Sequence, residues 1–157
     1  MKNRYLSLLT ATLLSLALPA QADRTPIPVD TPASFKAECA SCHMAFPPSL
    51  LSADDWKKTM NQLDKHFGTD AAVDSKAARE IGSFLERNAG SGSRVAGAGN
   101  PPRITKTARF ERKHHEIPNK YWRDPRIKSA ANCEACHKDA SKGRFSEHDI
   151  LIPELRE

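Results

Sequence analysis

Two short motifs carry the residues whose chemistry is easiest to read. They run Cys39-Ala-Ser-Cys42-His43 and Cys133-Glu-Ala-Cys136-His137. Residues three apart lie about one helical turn from each other, so both thiols of a motif can reach the two vinyl groups on one edge of a haem. The histidine that follows can then turn under the porphyrin and bind the iron as proximal ligand. C-x-x-C-H is the attachment sequence of c-type haem, so the chain is predicted to carry two covalently attached haem c groups.

Other uses of four cysteines explain this pattern less well. A zinc site can take four cysteine ligands, but it does not need a histidine after each pair. A thioredoxin-like redox pair sits on a β-α-β unit, and no such strand pattern surrounds either motif. Two disulfides are common in small exported proteins, yet they would leave both histidines without a role. The motifs therefore favour haem attachment.

The opposite side of each iron decides between an electron carrier, in which a second residue binds the iron, and a site open to gas or peroxide. Beyond Met1, the chain has only Met44 and Met60 as methionines. Met44 adjoins His43 and cannot cross to the other face of the haem. No methionine follows Met60, so His/Met ligation is excluded for the second haem. Met60 itself is expected to pack against the first porphyrin.

Histidines are the better candidates for these distal positions. His66 lies near the end of a predicted helix, at the edge of its apolar stripe, and is the expected distal ligand of the first haem. The alternative is a surface histidine that interacts with the helix C-terminus. For the second haem, His114 and His115 are neighbours that point in different directions, so at most one binds iron. His148, in a polar stretch, is the competing choice, and spacing alone leaves this choice open.

Helix signals dominate the first half of the chain. A first helix is predicted at about residues 33–43, after a proline-rich extended segment. Ser52 and Asp55 resemble a capping box that begins a helix reaching Phe67. Asp74 is predicted to cap a third helix. The expected buried face of this third helix consists of Ala77, Ile81, Phe84, Leu85 and Asn88.

The second half has fewer helix signals. Residues 91–102 are rich in Gly, Ser and Pro and are predicted to form a linker or exposed loop. A short helix is expected at residues 129–137, and residues 150–153 are expected to pack against the rest. No long alternating strand appears. The predicted fold is mostly α with irregular segments, a c-type cytochrome with two small haem-binding lobes at residues 23–90 and 103–157.

Residues 1–22 have the organisation of a secretory signal peptide. Lys2 and Arg4 precede an uncharged run of 14 residues, and small residues follow up to Ala22. A membrane-spanning helix needs about 20 apolar residues, so this run is too short to be an anchor. We expect cleavage after Ala22 and a periplasmic protein that is not embedded in the membrane.

Size and charge restrict the function further. With 157 residues, of which 39% are hydrophobic, the chain is neither a large multi-domain enzyme nor a polytopic membrane protein. Residues 23–90 carry 8 basic and 10 acidic side chains, whereas residues 91–157 carry 14 and 9. An exported protein meets little nucleic acid, so no nucleic-acid partner is expected. The basic half favours an acidic protein partner or acidic groups on a cofactor.

The motifs taken together resemble one known family, the bacterial periplasmic dihaem cytochromes c associated with the sphaeroides haem protein. The first matching stretch is Cys39-x-x-Cys-His-x-x-Phe-Pro-Pro-x-Leu-Leu, followed by Trp56 and His66-Phe-Gly. The second is Lys113-His114-x-Glu116-Ile117, Trp122, and Asn132-Cys-x-x-Cys-His, with Gly143 and Phe145 after it. The resemblance covers essentially the whole chain after residue 22.

This resemblance implies bis-histidine ligation at both irons. His66 would be the sixth ligand of the first haem and His114 that of the second, with His115 a variable residue. It also implies electron delivery to a small oxygen-binding monohaem cytochrome, with a membrane b-type cytochrome often nearby. Ligation without methionine sulfur is expected to give low reduction potentials.

We therefore predict an electron carrier with two low-spin haems and no enzymatic activity. One alternative is the dihaem subunit of periplasmic nitrate reductase, whose motifs lie much closer together than the 94 positions from Cys39 to Cys133. Another is a small dihaem peroxidase with one open iron, but such enzymes are much longer chains.

Overall fold

The computed structural model describes residues 24–148, 150–152 and 154. The predicted signal peptide lies outside these residues. The described part contains four α-helices: α1 (Ala33–Cys39), α2 (Ala53–Met60), α3 (Ser75–Arg87) and α4 (Ala108–His114). Short 3-10 turns and irregular segments connect them, and isolated bridges take the place of strands within this part of the chain. The prediction of a mostly helical fold with irregular segments is confirmed.

The first three helices form a hydrophobic core. Helices α1 and α2 both pack against α3, because α3 presents an apolar face at helical spacing. The rings of Phe35 and Phe84 lie 5.0 Å apart at its centre. Trp56 donates its indole N–H to the backbone oxygen of Pro48 at 2.6 Å, which satisfies the polar end of a buried ring. The buried cluster consists of Phe35, Leu51, Trp56, Ala77, Ile81, Phe84, Leu85 and Ala98.

The predicted helix starts at Ser52 and Asp74 are confirmed. The Ser52 hydroxyl accepts a hydrogen bond from the Asp55 N–H at 3.2 Å and donates to the Asp55 carboxylate at 2.6 Å. Asp74 accepts from the N–H groups of Lys76 and Ala77 at 2.8 and 3.1 Å. Both caps satisfy N–H groups that have no partner inside the helix.

Two helices end earlier than predicted. Helix α1 stops at Cys39 rather than at residue 43, because the Ser41 hydroxyl donates to the Glu38 backbone oxygen at 2.9 Å and the chain turns. Helix α2 stops at Met60 rather than at Phe67. A compact turn follows, closed by a 2.8 Å hydrogen bond from the Ala71 N–H to the Leu63 oxygen. Met60 packs against the hydrophobic core.

The expectation of an exposed loop at residues 91–102 is wrong at three positions, because Val95, Ala98 and Pro102 are buried. Val95 and Ala98 are only 5% and 4% exposed, and Ala98 belongs to the hydrophobic core. Gly90 allows this close packing, since a Cβ there would lie 2.6 Å from a Val95 methyl group and 2.3 Å from the Ser49 oxygen. The division of the chain into two lobes stays a prediction.

The second half is built mainly from turns. Instead of the helix predicted at residues 129–137, a single 3-10 turn spans Cys133–Ala135. The Asn132 amide donates to the Ile127 oxygen at 3.0 Å and holds the preceding residues in a turn rather than a helix. In the tail, Ile152 is buried as expected, whereas Leu151 is 44% exposed. Pro153 lies outside the described residues.

The start of the described chain packs against the second half. The Thr25 N–H donates to the Gly143 oxygen at 2.8 Å, and Arg109 of α4 donates from Nη2 to the Thr25 hydroxyl at 3.1 Å. Gly143 has a φ of +73°, and a Cβ there would lie 2.1 Å from the Thr25 oxygen. Glycine is therefore required at this contact on both steric and conformational grounds.

None of the helices in the described residues is long and apolar enough to cross a membrane.

Candidate haem-binding sites

The first site pairs His43 with His66. Their ring centres lie 6.2 Å apart with an angle of 36° between the ring planes. His43 follows the turn at the end of α1, and its Nδ1 lies 2.8 Å from the Met44 backbone oxygen. A carbonyl oxygen can only accept, so Nδ1 carries the proton and the lone pair of Nε2 is left free for a metal.

His66 occupies a different environment from His43. It follows the 3-10 turn Leu63–Lys65 and is half-buried. Burial, and secondarily the nearby His43, lower the pKa of the His66 imidazole. The neutral ring is the form that binds metals, so this shift suits a ligand.

The second site pairs His114 with His137. Their ring centres lie 6.1 Å apart with the ring planes at 87°. His114 is the last residue of α4, and its Nδ1 lies 2.9 Å from the backbone oxygen of Phe110, one turn earlier. The His114 ring also stacks on the Phe110 ring, with centroids 4.0 Å apart. On the opposite side, the His137 Nδ1 lies 3.3 Å from the Ser146 oxygen.

A cavity of about 580 Å³ surrounds the second pair. Its walls include Cys133 and Cys136 together with both histidines, so the whole second motif opens into it. Burial is the main cause that lowers the pKa of His114, opposed by its bond to the Phe110 backbone. Apolar and aromatic side chains complete the lining: Phe110, Ile117, Trp122, Ile127, Phe145 and Ile150.

The other two histidine candidates are both exposed to solvent. His115 is exposed, with Nδ1 2.9 Å from the Arg112 oxygen and Nε2 3.6 Å from the Glu116 carboxylate. His148 is also exposed and is one of the residues that line the 580 Å³ cavity around His114 and His137. The structure therefore brings His114, rather than either alternative, into the position facing His137.

The four cysteines are unpaired thiols, so the two disulfides considered as an alternative are not formed. Within the described residues, no three side chains of His, Cys, Asp or Glu are grouped as a metal site, so the zinc alternative finds no ligand cluster there. Burial raises the pKa of the Cys39 and Cys133 thiols to about 11. A thioether carries no charge, so cysteines attached to haem suit these buried positions.

A second cavity, of about 860 Å³, lies between the two motifs. Cys42 and His43 border it on one side, and Asn132 and Glu134 on the other. The two motifs, far apart in sequence, therefore face a common space.

Several residues of the second site were not predicted from the sequence. Phe110 stacks on His114, and its position four residues earlier on the same helix was a usable signal. Trp122, whose ring lies 6.0 Å from that of His114, carried no signal beyond the family pattern. Thr25 and Arg109 also line the cavity, and no local pattern pointed to them.

Comparison with known proteins assigns the family. Residues 35–145 match the family described as dihaem cytochrome c. The chain is similar to the crystal structure of a diheme cytochrome c from Shewanella baltica OS155, with 38% identity and a TM-score of 0.68 over 77% of this chain and 92% of that one. No curated protein sequence matches.

Two structures from Rhodobacter sphaeroides give the same result. A diheme cytochrome c has 37% identity and a TM-score of 0.65, over 74% of this chain and 98% of that one. A second structure, of DHC purified from the same organism, has 37% identity and a TM-score of 0.63, over 75% and 100%. The chain therefore belongs to the dihaem cytochrome c family, and its cofactors are two haem c groups.

Proposed function

We propose that this dihaem cytochrome c is an exported electron carrier whose two haems are low-spin and bis-histidine ligated. The observation that carries the proposal is the spacing of the two histidine pairs, 6.2 Å and 6.1 Å between ring centres. With metal–nitrogen bonds of about 2 Å, and about 1 Å from ring nitrogen to ring centre, two axial histidines place their ring centres about 6 Å apart. Each pair has room for one iron between its rings.

The proposed roles follow from these positions. Cys39 and Cys42 would form the thioethers of the first haem, and Cys133 and Cys136 those of the second. His43 and His137 would be the proximal ligands.

His66 and His114 would be the distal ligands. When bound, haem supplies a one-electron change between ferric and ferrous iron. With a histidine on each side of each iron in both oxidation states, the chain would need little rearrangement during that change.

The second histidine at each site also favours an electron carrier over the alternatives. A peroxidase needs one iron open to substrate, whereas here a histidine faces each proximal histidine. A nitrate-reductase subunit is the alternative nearest in class, and the 94 positions from Cys39 to Cys133 count against it, because the two motifs of that subunit lie much closer together.

The proposed partner is a small oxygen-binding monohaem cytochrome, with a membrane b-type cytochrome as a second redox partner. This part of the proposal rests on the family resemblance and on the basic residues after position 91. At least four of those basic side chains have acidic neighbours: Lys113 with Glu147 at 3.7 Å, Arg126 with Asp124 at 2.7 Å, Lys142 with Asp139 at 2.9 Å, and Arg144 with the same Asp139. The attraction for an acidic partner is therefore weaker than the residue count indicates.

Ligation is tested by substitution in protein matured in a host that attaches c-type haem. Ferric wild-type protein should be entirely low-spin by electron paramagnetic resonance and lack a methionine–iron band in the near infrared. His114→Ala should convert one haem to a high-spin or ligand-binding form. His115→Ala and His148→Ala are matched controls that should leave both haems low-spin. If His148→Ala gives the high-spin haem instead, the assignment at the second haem is wrong.

Attachment and export are tested by mass. The denatured protein should carry two haems on a chain that begins at Asp23. One haem, or a zinc ion, would contradict the proposal.

The partner is tested by rates of electron transfer to the monohaem cytochrome. The rate should fall as salt shortens the Debye length below about 10 Å, because steering acts through exposed charges. A rate that does not change with salt concentration would show that the basic residues are not part of the docking surface.

A further inference from the structure

The two proposed distal histidines are held very differently. His114 is fixed by its helix, by the 2.9 Å contact of Nδ1 with the Phe110 oxygen, and by stacking on the Phe110 ring. Its Nδ1 bond fixes the tautomer and makes Nε2 a stronger donor to metal. These contacts resist both rotation and withdrawal of the ring.

His66 lacks the equivalent support. Among the described residues its ring nitrogens have no hydrogen-bond partner, whereas His43, His114 and His137 each have a backbone oxygen within 3.3 Å of Nδ1. Its ring contacts are those with His43 and with the neighbouring Phe67, at 4.9 Å for the latter.

The backbone that carries His66 is a surface turn under conformational strain. Phe67 has a φ of +50° and Gly68 a φ of +94°, so two successive residues adopt the left-handed conformation. Residues with a side chain rarely adopt it, and they hold it only where their surroundings impose it. Phe67 is also 46% exposed, and the residues up to Asp70 are exposed. The turn can therefore move outward into solvent once it gives up the contact of the Phe67 ring with the Arg103 guanidinium, which lies 4.1 Å from the ring centre.

We propose that His66 is a replaceable ligand, so that the ferrous first haem binds a neutral diatomic gas such as carbon monoxide or nitric oxide at the position His66 leaves. This rests on the bis-histidine ligation proposed above. In the exchange the bond from His66 Nε2 to iron would break, the gas would donate its electron pair to form the new bond, and no electron would be transferred. The His114 side of the second haem stays closed.

Carbon monoxide is the probe, added anaerobically to the reduced two-haem protein. About half of the haem should form a carbon monoxide adduct, since one of two sites reacts. The rate should level off at high gas concentration, because departure of His66 limits it. In His66→Ala the rate should instead rise in proportion to gas concentration.

Two glycine variants with similar backbone strain distinguish a replaceable His66 from a general loss of stability in the protein. Gly68 and Gly92 both have positive φ, and at both the position that a Cβ would take has no other atom within 4 Å, so alanine strains each backbone without a clash. Gly68→Ala should raise the limiting rate of adduct formation several-fold, and Gly92→Ala should leave it unchanged.

The outcomes separate this proposal from the ligation on which it rests. Low-spin protein that forms no adduct, or forms it at the second haem, overturns the replaceable ligand and leaves bis-histidine ligation standing. Protein that is already high-spin before gas is added overturns the ligation itself. An equal response of both glycine variants would also reject a specific role for the turn.

Discussion

The two halves of this cytochrome each build a haem-binding site, but they differ in how much apolar surface the protein itself buries. The first half buries its side chains between α1, α2 and α3, in a cluster centred on Phe35, Ile81 and Phe84. In the second half, the residues that the structure describes form one short helix and a series of 3-10 turns, with few buried apolar side chains, among them Ile127 and Ile152.

This difference has a physical consequence. A turn-rich segment buries little apolar surface of its own, so it needs another source of stabilisation. In the second half the available sources are the haem in its 580 Å³ cavity and the contact of Thr25 with Gly143 and Arg109. The first half, in contrast, has a hydrophobic core formed by its own side chains, in addition to any contacts with haem.

The largest effect should come from preventing haem attachment at each motif separately. In the double variant Cys133→Ala/Cys136→Ala, amide exchange across residues 104–152 should accelerate at least about tenfold, because the cavity loses the haem that fills it. In the double variant Cys39→Ala/Cys42→Ala, the amides of α3 should stay protected from exchange. Hydrogen exchange with mass spectrometry measures both. Equal protection loss in the two variants would remove the contrast between the halves.

The core of the first half can be tested by Phe84→Ala. Phe84 is fully buried, so its loss should lower the free energy of unfolding by about 3–5 kcal/mol. The loss should appear in denaturant unfolding of the helices, while the spectrum of the second haem at low denaturant stays unchanged. Val29→Ala, at a fully exposed apolar position, is the control and should have almost no effect. A second haem that is disturbed as much as the first would mean that the core serves both halves.

Gly143→Ala tests the contact between the start of the described chain and the second half. The new methyl group would lie 2.1 Å from the Thr25 oxygen in a left-handed backbone, so the segment must move away. We expect a loss of about 1–3 kcal/mol, seen as a lower unfolding midpoint for the second half. Gly92→Ala, with a similar φ but open space, should cost less. If the two variants lose equal stability, the contact with Thr25 contributes nothing beyond backbone strain.

The smallest effect concerns the cap of α3. Hydrogen bonds from the Ala77 and Lys76 N–H groups are the largest causes that lower the pKa of Asp74 below its ordinary 3.8. A lowered carboxyl pKa contributes stability that is present above pH 3.8 and is lost as pH falls through the folded-state value. Acid unfolding of the first half, followed by circular dichroism, should therefore be less steep in Asp74→Asn. If Asp74→Asn leaves the acid unfolding curve unchanged, the charge of Asp74 does not contribute to the acid sensitivity of the first half.

Local patterns explain which predictions from sequence succeeded. The spacing within each C-x-x-C-H motif and the caps at Ser52 and Asp74 depend on residues within one turn of one another, so the sequence displays them directly. Helix ends were less accessible. Helix α1 ends at Cys39 because of a side-chain bond from Ser41, and the turn after α2 is closed by a bond between Ala71 and Leu63, beyond the reach of the helical pattern.

The sequence alone was enough to establish that there are two haem groups and that the first half is helical, and it led to the prediction of the residues that attach the haems. Which histidines face each other became clear only from the folded chain, since spacing left His114, His115 and His148 open. The fold also places Thr25 against Gly143, a segment far along the chain, to close the second site. The physical reason is that covalent attachment is specified within a few consecutive residues, whereas a distal ligand and a closing segment are chosen by long-range packing, which no local pattern records.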